Sequence, residues 1–356
     1  MKRTNKKKEK KSKLAQQMTR RAETAGTIVK SSKGYDGNLK TVISTGSTLL
    51  DLAISGGRIR GGGIPGGILV EVFGPNGAGK TVLLCEIAGD IQRKGGSIMF
   101  HDPEARLNKQ FAQMFDLDTD TIEYSTPDTV TEVFQSVRKW EPSGTTINGI
   151  LTDSLAALST NLEMDKDEGD KMGMRRAKEF SEELRKTCRL LTNKNQLMVC
   201  SNQVRVNADA GPYGQKYRTP GGEAVGFYAS LRLRVSSPKK IKSEQSIKGK
   251  KQTRVIGTEI EIEVYKSSVW KPYHTAPVTI IFDYGIDDVR TNLQFVKSNT
   301  KATTYVIGGE SIGRSIEEAI QHVEKNNLEG VLKDEVIDLW ETIEGKFESN
   351  RKNKIR

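Results

Sequence analysis

Eight consecutive residues constrain the fold of this chain more than any other stretch. They are Gly74, Pro75, Asn76, Gly77, Ala78, Gly79, Lys80 and Thr81, which fit the pattern G-x-x-x-x-G-K-[ST]. The apolar run 68–74 leads into this pattern, and the amphipathic stretch 80–93 follows it. A buried strand that turns through glycines into a helix predicts an α/β fold in which the helix packs on a sheet.

The same alternation of strand and helix continues to about residue 201. Apolar runs predict strands at 97–101, 121–125, 147–153 and 196–201, and the intervening segments predict helices at 106–116, 129–140 and about 171–193. Apolar strands separated by helices are typical of a mostly parallel sheet with helices on both faces. Past residue 228 strand follows strand, which predicts an antiparallel extension of the sheet, and helices return from residue 315.

The length of 356 residues exceeds that of a typical single domain, so we expect a large core with smaller flanking units. A basic tail with a short helix is predicted in 1–34. The α/β core is predicted in 35–290, and a small α-rich C-terminal domain with a basic tail in 291–356.

The net charge of +11 is concentrated at the two ends of the chain. Residues 1–13 contribute +7 and residues 349–356 contribute +4, so 14–348 are neutral as a set. Basic tails of this kind attract polyanions such as nucleic acids, although they can also be simply solvated ends. A third basic stretch, 238–254, holds seven Lys/Arg and one Glu; we expect an exposed hairpin or loop that contacts either nucleic acid or water.

Several classes of protein are disfavoured by composition. The sequence has no run of eighteen apolar residues, so we expect no membrane-spanning helix and no membrane partner. No apolar stretch follows the basic N-terminus, so we expect no secretory signal. Its three cysteines are too few and too scattered for a disulfide framework or a zinc site, which fits a reducing, intracellular compartment, the cytoplasm.

The glycine-rich pattern predicts a phosphate-binding site. Glycines let successive backbone N–H groups turn towards phosphate oxygens, and the start of the helix adds partial positive charge. Lys80 is then expected to reach the β- and γ-phosphates of ATP, and the Thr81 hydroxyl to hold Mg²⁺. An ordinary glycine-rich turn is the alternative, which the flanking strand and helix disfavour.

Two carboxylates follow neighbouring predicted strands. Asp153 ends the apolar run 147–153 and is the natural group to orient the magnesium ion. Glu104, in the stretch HDPEARLN, follows the strand at 97–101 and is a candidate general base for an attacking water. Taken alone, Glu104 could equally be an ordinary acid of a surface loop.

At this point the chain resembles the RecA family of bacterial recombinases, from about residue 40 to the C-terminus. The similar stretches are ISTGS (43–47), GPNGAGKT (74–81), FHDPEARLN (100–108), LTDSLAAL (151–158), SNQVR (201–205) and TPGGEAVGFYASLRLRV (219–235). Their common order and family-like spacing make the resemblance specific, whereas no single stretch does so.

The resemblance implies a RecA-type ATPase core and a DNA-dependent ATPase that uses ATP and Mg²⁺. Such a protein forms helical homo-oligomers on single-stranded DNA and then pairs and exchanges strands with homologous double-stranded DNA. It implies loading, mediator or single-strand-binding proteins as further partners, and a place at the nucleoid. The segment 1–34 is then expected to contact a neighbouring subunit.

The resemblance also implies roles for individual residues. Glu104 takes the position of the catalytic glutamate, Lys80 acts with it on the phosphates, and Gln203 takes the position that senses the γ-phosphate. Asn108 and Phe111 fall where the family contacts and stacks on adenine, in place of an aspartate and a tyrosine.

Two further residues take positions at the subunit interface. Phe227 matches an aromatic residue that packs on the neighbouring subunit. Lys266 matches a lysine that reaches the ATP of the adjacent protomer.

Two DNA-binding loops are implied, at about 162–173 and at 204–220. The second contains glycines, cations and aromatic rings, a composition suited to neutralising phosphates and wedging between bases. The candidate DNA-contacting residues are Met172, Arg205, Tyr213, Lys216, Tyr217 and Arg218. Simple surface packing is the alternative for either tyrosine.

The chain departs from the family in four places. Ser268 stands where bacterial members carry a second lysine, which puts the cross-subunit contact with phosphate in doubt. The C-terminal tail is basic rather than acidic, the first 40 residues match poorly, and the segment near 291–312 is shorter. These differences indicate a distant member and leave open a phage origin, in which case the host cytoplasm is the expected location.

Two other functions share features with this sequence and are the alternatives to a recombinase. A ring motor or helicase with the same core would need an additional N-terminal domain, which residues 1–40 are too short to supply. A non-catalytic mediator that coats single-stranded DNA would not need the complete set Lys80, Thr81, Glu104 and Asp153.

Overall fold

The computed structural model describes residues 40–160, 172–206, 217–220, 223–349 and 351. All the elements given below belong to one compact unit of the chain. The short helix predicted within 1–34, like the rest of that segment, lies outside the described residues.

Ten strands form one large central sheet, and six further strands form three small two-stranded sheets. The strands are β1 (Val42–Ile43), β2 (Ile64–Pro65), β3 (Leu69–Gly74), β4 (Ile98–His101), β5 (Glu123–Ser125), β6 (Gly149–Thr152), β7 (Leu197–Gln203), β8 (Arg205–Val206), β9 (Tyr217–Arg218), β10 (Leu231–Val235), β11 (Lys239–Ile247), β12 (Lys250–Ser267), β13 (Thr275–Ile281), β14 (Gly285–Ile286), β15 (Tyr305–Ile307) and β16 (Glu310–Gly313).

The helices lie between and beyond these strands. They are α1 (Thr48–Ser55), α2 (Lys80–Arg93), α3 (Lys109–Gln113), α4 (Val130–Lys139), α5 (Met172–Lys194), α6 (Glu223–Tyr228), α7 (Asp288–Asn299), α8 (Ile316–Lys325) and α9 (Glu329–Lys346), with a 3₁₀ turn at Leu155–Ala157. Within the described residues, none of these helices is both long and apolar enough to cross a membrane.

The central sheet has the order β14-β13-β12-β10-β3-β7-β6-β4-β5, with β11 paired to β12. The strands from β10 to β5 are parallel to their neighbours. The strands on the other side, from β12 to β14, and β11 are antiparallel. The predicted fold class, a mostly parallel α/β sheet with an antiparallel extension, is therefore confirmed.

Alternate residues of the parallel strands enter two hydrophobic cores, because side chains of a strand point to opposite faces. Ile150 packs into a core with α4 and α5, whereas Leu151 packs into a core with α1 and α2. The second of these cores also takes in the C-terminal helices through Val336 and Trp340 of α9. The proposed boundary at residue 291 stays a prediction.

The predicted helix 106–116 is wrong in length, since α3 covers only Lys109–Gln113. The preceding segment instead folds around Asp102. The carboxylate of Asp102 accepts a hydrogen bond from the Leu107 amide at 2.7 Å, and its carbonyl accepts one from the Ala105 amide at 3.0 Å. Ala105 is left-handed, with φ of 51°, which a helix cannot contain.

The basic stretch 238–254 is a hairpin rather than an irregular loop. β11 pairs with the first part of β12 in antiparallel register, from Lys239 opposite Glu259 to Ile247 opposite Lys250. Most residues of this hairpin beyond Ile241 are exposed. An ion pair of 2.7 Å joins Lys251 to Glu244 across it.

Candidate nucleotide-binding site

A cavity of about 410 Å³ lies at the carboxyl ends of β3, β4, β6 and β7. These four strands are neighbours in the sheet, so the loops that follow them converge, as is usual for ligand sites of open α/β sheets. The cavity is lined by Asn76, Gly77, Ala78, Gly79, Lys80, Thr81, Val82, Glu104, Arg106, Asp153, Ser154, Ser201 and Gln203. Most of the predicted phosphate and catalytic residues are thus brought together.

The loop between β3 and α2 requires glycine at two positions. Gly77 and Gly79 have φ of 69° and 75°, the left-handed region that favours glycine. A Cβ on Gly79 would also lie 2.3 Å from Cδ1 of Ile280. Left-handed residues at the start of a helix form a concave run of backbone N–H groups that suits an anion.

Lys80 is buried at the first position of α2. Its Nζ donates hydrogen bonds to the carbonyl oxygens of Gly74 at 3.2 Å and Pro75 at 2.7 Å. Burial lowers the pKa of this amine, and the nearby carboxylates of Asp153 and Glu104 act in the opposite direction. The loop therefore holds a cation at the wall of the cavity.

Asp153 connects α2 to β7 across the cavity. The Thr81 hydroxyl donates to Oδ2 of Asp153 at 2.5 Å, and the Ser201 hydroxyl donates to Oδ1 of the same carboxylate. The peptide bond between Asp153 and Ser154 is cis. The two hydrogen bonds from Thr81 and Ser201 hold this carboxylate in one orientation beside the glycine-rich loop.

The oxygen atoms of Thr81 and Asp153 fit Mg²⁺, which prefers hard oxygen ligands and is usually held by one or two carboxylates together with substrate phosphates. The described part of the chain contains no cluster of three His, Cys, Asp or Glu residues that could hold a metal by itself. The hydroxyl of Thr81 and the carboxylate of Asp153 suit a Mg²⁺ ion that takes its other ligands from phosphate and water.

Glu104 lies in the segment that Asp102 stabilises. Oε1 of Glu104 accepts a hydrogen bond from the Ser154 hydroxyl at 3.2 Å, and Oε2 forms an ion pair of 2.6 Å with Arg106. Tyr124 donates to the Asp102 carboxylate at 3.0 Å, and burial together with this bond raises the pKa of Tyr124 to about 12. The position of Glu104 is thereby tied to β4 and β5.

Gln203 ends β7 and lines the same cavity. Its backbone N–H donates to Oδ1 of Asn202 at 3.0 Å, and Nδ2 of Asn202 donates to Pro220 O at 3.0 Å and to Oε1 of Glu71 at 2.9 Å. Glu71 is fully buried and also accepts from Nε of Arg232 at 2.6 Å. The cavity is thus connected through Asn202 to the end of the second predicted DNA-binding loop.

The base of that loop is a short hairpin in which Arg205 pairs with Arg218 and Val206 with Tyr217. The side chains of Arg205, Tyr217 and Arg218 are outside the described part of the structure. So are Tyr213, Lys216, residues 161–171 and the side chain of Met172, although α5 begins at that residue. The predicted DNA contacts therefore stay predictions.

Asn108 and Phe111 are not among the residues lining the cavity. Oδ1 of Asn108 caps α3 by accepting from the Phe111 amide at 2.8 Å. The Phe111 ring packs edge-on against Phe115, with 5.0 Å between ring centroids. The predicted contact of these two residues with adenine stays a prediction.

The structure brings Phe227 and Lys266 together, away from the cavity lining. Phe227, on α6, is 75% exposed. Nζ of Lys266 donates to the carbonyl oxygens of Gly226 and Phe227, both at 2.9 Å. Burial, and then the charge of Arg232, lower the pKa of Lys266. Their predicted interface roles are not tested by a single chain.

Arg106, Ser154 and Ser201 line the cavity but were not among the predicted site residues. Ser201 lies two residues before Gln203 on the same strand, and residues i and i+2 of a strand share one face, so this neighbour could have been found. Arg106 follows a left-handed residue, which nothing in the local pattern indicated.

Comparison with known proteins gives a consistent result. The RecA N-terminal domain family matches residues 11–287. Protein RecA of Delftia acidovorans is 30% identical over 308 residues, which is 85% of this chain and 79% of the relative. Protein RecA of Borrelia duttonii is 32% identical over 317 residues, 86% of this chain and 84% of the relative.

Two further similarities cover less of the chain. Protein RecA of Thermus thermophilus is 36% identical over 248 residues, 70% of this chain and 69% of the relative. The crystal structure of the RadB recombinase is 18% identical with a TM-score of 0.48, and the match covers 68% of this chain and 98% of that one.

Proposed function

The chain belongs to the RecA family, and from that premise we propose that it is a single-stranded-DNA-dependent ATPase acting in recombination and repair. In this proposal it assembles into helical filaments on single-stranded DNA and promotes pairing and strand exchange with homologous double-stranded DNA. The observation that carries the proposal is the convergence of Lys80, Thr81, Glu104 and Asp153 on one cavity.

Each of these residues has a distinct role in ATP hydrolysis. The glycine-rich loop and Lys80 bind the phosphates, while Thr81 and Asp153 hold Mg²⁺. When bound, the ion neutralises charge on the β- and γ-phosphate oxygens. Glu104 orients a water molecule and accepts its proton as oxygen adds to the γ-phosphorus and the bond to the β-γ bridging oxygen breaks.

Gln203 links this chemistry to DNA. A contact between its side chain and the γ-phosphate would shift the end of β7, and the bonds of Asn202 to Gln203 and Pro220 connect that strand end to the second loop. ATP then favours the DNA-binding arrangement, and DNA favours ATP binding by the same factor, because coupling between two binding sites is reciprocal. Hydrolysis releases the DNA.

DNA binding is assigned to the loops at about 162–173 and 204–220. Arg205, Lys216 and Arg218 would neutralise phosphates, and Met172, Tyr213 and Tyr217 would stack on or between bases. These assignments rest on the family and on the loop composition.

Adjacent protomers would meet through Phe227, Lys266 and the segment 1–34, with ATP between them. Loading, mediator and single-strand-binding proteins are proposed as further partners. The proposed location is the cytoplasm, at the nucleoid, or the host cytoplasm for a phage protein.

One experiment tests the proposal directly. Hydrolysis of ATP by the full-length chain is measured with and without single-stranded DNA, and the same mixtures are imaged by electron microscopy. We expect DNA to stimulate hydrolysis and helical filaments to form with ATP, Mg²⁺ and DNA. Closed rings would instead indicate a ring motor, and DNA coating without hydrolysis would indicate a non-catalytic mediator.

A further inference from the structure

Arg106 occupies a position in the cavity that neither the glycine-rich motif nor the proposed base explains. It lines the cavity together with Lys80, Glu104 and Asp153, and its side chain is 76% exposed. Its described partner is Oε2 of Glu104, at 2.6 Å. An exposed guanidinium therefore lies beside the group proposed to activate water.

The backbone fixes this placement. Ala105, between Glu104 and Arg106, is left-handed, with φ of 51°, and the side chains on either side of it meet in an ion pair. Asp102 holds the turn through its carbonyl and its carboxylate. Non-glycine residues in the left-handed region are uncommon and occur often at functional sites. The juxtaposition is therefore built into the loop.

Arg106 changes the net charge of the cavity lining. Its lining includes two cations, Lys80 and Arg106, and two carboxylates, Glu104 and Asp153, so these charges sum to zero with Arg106 and to −1 without it. A nucleoside triphosphate with one Mg²⁺ is itself an anion of charge about −2. Within this lining, Arg106 is positioned to supply positive charge for such a ligand in addition to Lys80 and the start of α2.

The ion pair between Arg106 and Glu104 is exposed to solvent on the arginine side, so another anion can replace Glu104 as the partner of Arg106. Pairs with a solvent-exposed partner are weak, because water screens them and long side chains lose conformational freedom. A terminal phosphate carries more charge than a carboxylate and accepts two parallel N–H bonds from a guanidinium. A phosphate that enters the cavity can therefore displace Glu104 from Arg106.

We propose that Arg106 is a catalytic residue of the same chain that binds the γ-phosphate of a nucleoside triphosphate and, in moving to it, releases the carboxylate of Glu104 to take the attacking water. This inference rests on the proposed ATPase function. It assigns to Arg106 the charge-stabilising role of an arginine finger supplied by the same polypeptide. Arg106 makes and breaks no covalent bond.

The experiment compares Arg106→Ala with Arg106→Lys, and with Arg189→Ala, which removes an exposed arginine from α5. Binding of a non-hydrolysable ATP analogue and of ADP is measured for each full-length protein by fluorescence titration. We expect Arg106→Ala to weaken the analogue about tenfold while ADP changes less than about twofold, because only the analogue carries a γ-phosphate. Arg106→Lys should recover part of the loss, and Arg189→Ala should match wild type.

Repeating the substitution in a variant that lacks the Glu104 carboxylate distinguishes a direct contact of Arg106 with the γ-phosphate from an effect of Arg106 on Glu104. The same substitution is made in Glu104→Gln, where the carboxylate is gone. If Arg106 contacts the γ-phosphate, Arg106→Ala again lowers the preference for the analogue over ADP; if it acts only on Glu104, the double variant equals Glu104→Gln. Turnover of Arg106→Ala should fall about 100-fold, less than for a buried arginine finger because the side chain is exposed.

Unchanged preference for the analogue in both backgrounds would overturn the inference, even if hydrolysis remained DNA-dependent. A wild-type chain that binds ATP without hydrolysing it would refute the proposed ATPase, while the binding comparison would still decide the role of Arg106. A chain with no affinity for ATP would refute both.

Discussion

The hydroxyl of Thr81 and the carboxylate of Asp153, 72 residues apart in the chain, are joined by a hydrogen bond of 2.5 Å. The other carboxylate oxygen accepts the hydroxyl of Ser201. Both oxygens of Asp153 thus act as acceptors from hydroxyl groups on neighbouring elements. This arrangement orients one carboxylate towards the loop that is proposed to bind phosphate.

Asp153→Asn should impair the use of Mg²⁺. The substitution replaces one carboxylate oxygen with an NH2 group that only donates, so either Thr81 or Ser201 would have to accept instead of donate, and the negative charge is lost. We expect the Mg²⁺ concentration that gives half-maximal hydrolysis to rise about 10- to 100-fold, the usual effect of disturbing a metal site. Asp118→Asn, at an exposed carboxylate, is the matched control, and an unchanged Mg²⁺ titration would remove Asp153 from the site.

Glu104→Gln should separate binding from hydrolysis. The amide keeps the shape of the side chain but cannot accept a proton from water, so turnover should fall about 10²- to 10⁴-fold. Binding of ATP and of single-stranded DNA should persist. Glu324→Gln, on the exposed face of α8, serves as control. Hydrolysis at the wild-type rate would show that Glu104 is not the base.

Tyr213→Ala should weaken binding of single-stranded DNA. A stacking contact with a base is worth about 1–3 kcal/mol, so the dissociation constant should rise by at least about fivefold at constant salt. Tyr273→Ala, the matched control, removes a tyrosine that is 73% exposed and lies outside the predicted loops, and it should leave DNA binding unchanged. Identical isotherms for the two variants would exclude Tyr213 from the DNA contact.

Asn202→Ala should reduce both stability and coupling. The substitution leaves the fully buried Glu71 with fewer donors, which costs about 1–3 kcal/mol of unfolding free energy, measurable by urea denaturation. It also removes the bond to Pro220, so DNA should stimulate hydrolysis less than in wild type. Stimulation that is fully retained would argue that the path through Asn202 carries no coupling.

The stability of the folded chain should fall as the pH rises from about 5 to about 8. Burial raises the pKa of Glu86 from 4.5 to about 7 and that of Asp51 from 3.8 to about 6. In this window the folded state binds more protons than the unfolded state, so deprotonation favours unfolding. Glu86→Gln should make the melting temperature depend less on pH. Each kcal/mol of unfolding free energy that no longer varies with pH corresponds to about 2–4 °C of melting temperature. A steeper dependence in the variant would contradict this.

The sheet and the phosphate loop could be predicted from the sequence because both depend on residues that are close together in the chain. The apolar runs around Val72 and Leu151 marked buried strands, and the spacing of Gly74, Gly79 and Lys80 marked the loop. Asp153 and Glu104 could be placed because each follows a predicted parallel strand, and such ends meet at one edge of a sheet.

Other features depend on contacts between distant residues and left no local signal. The network of Glu71, Asn202 and Arg232 joins three strands, and none of its members is unusual in its own segment. The position of Arg106 depends on the left-handed Ala105, since an alanine gives no warning of that conformation. The cap that Asn108 provides likewise explains why α3 begins later than the periodicity suggested.

The long strand β12 connects two basic regions of the protein. It runs from Lys250, at the exposed basic hairpin, to Ser267, next to Lys266 beside α6. Lys250 and Lys266 are sixteen residue steps apart, at most about 50 Å of extended chain, and β12 stays paired with β10, β11 and β13 apart from register shifts at Ile256 and Tyr265. The cations of the hairpin and the lysine at the other end therefore lie at opposite ends of one paired strand, so a single polyanion would have to extend along the sheet to reach both.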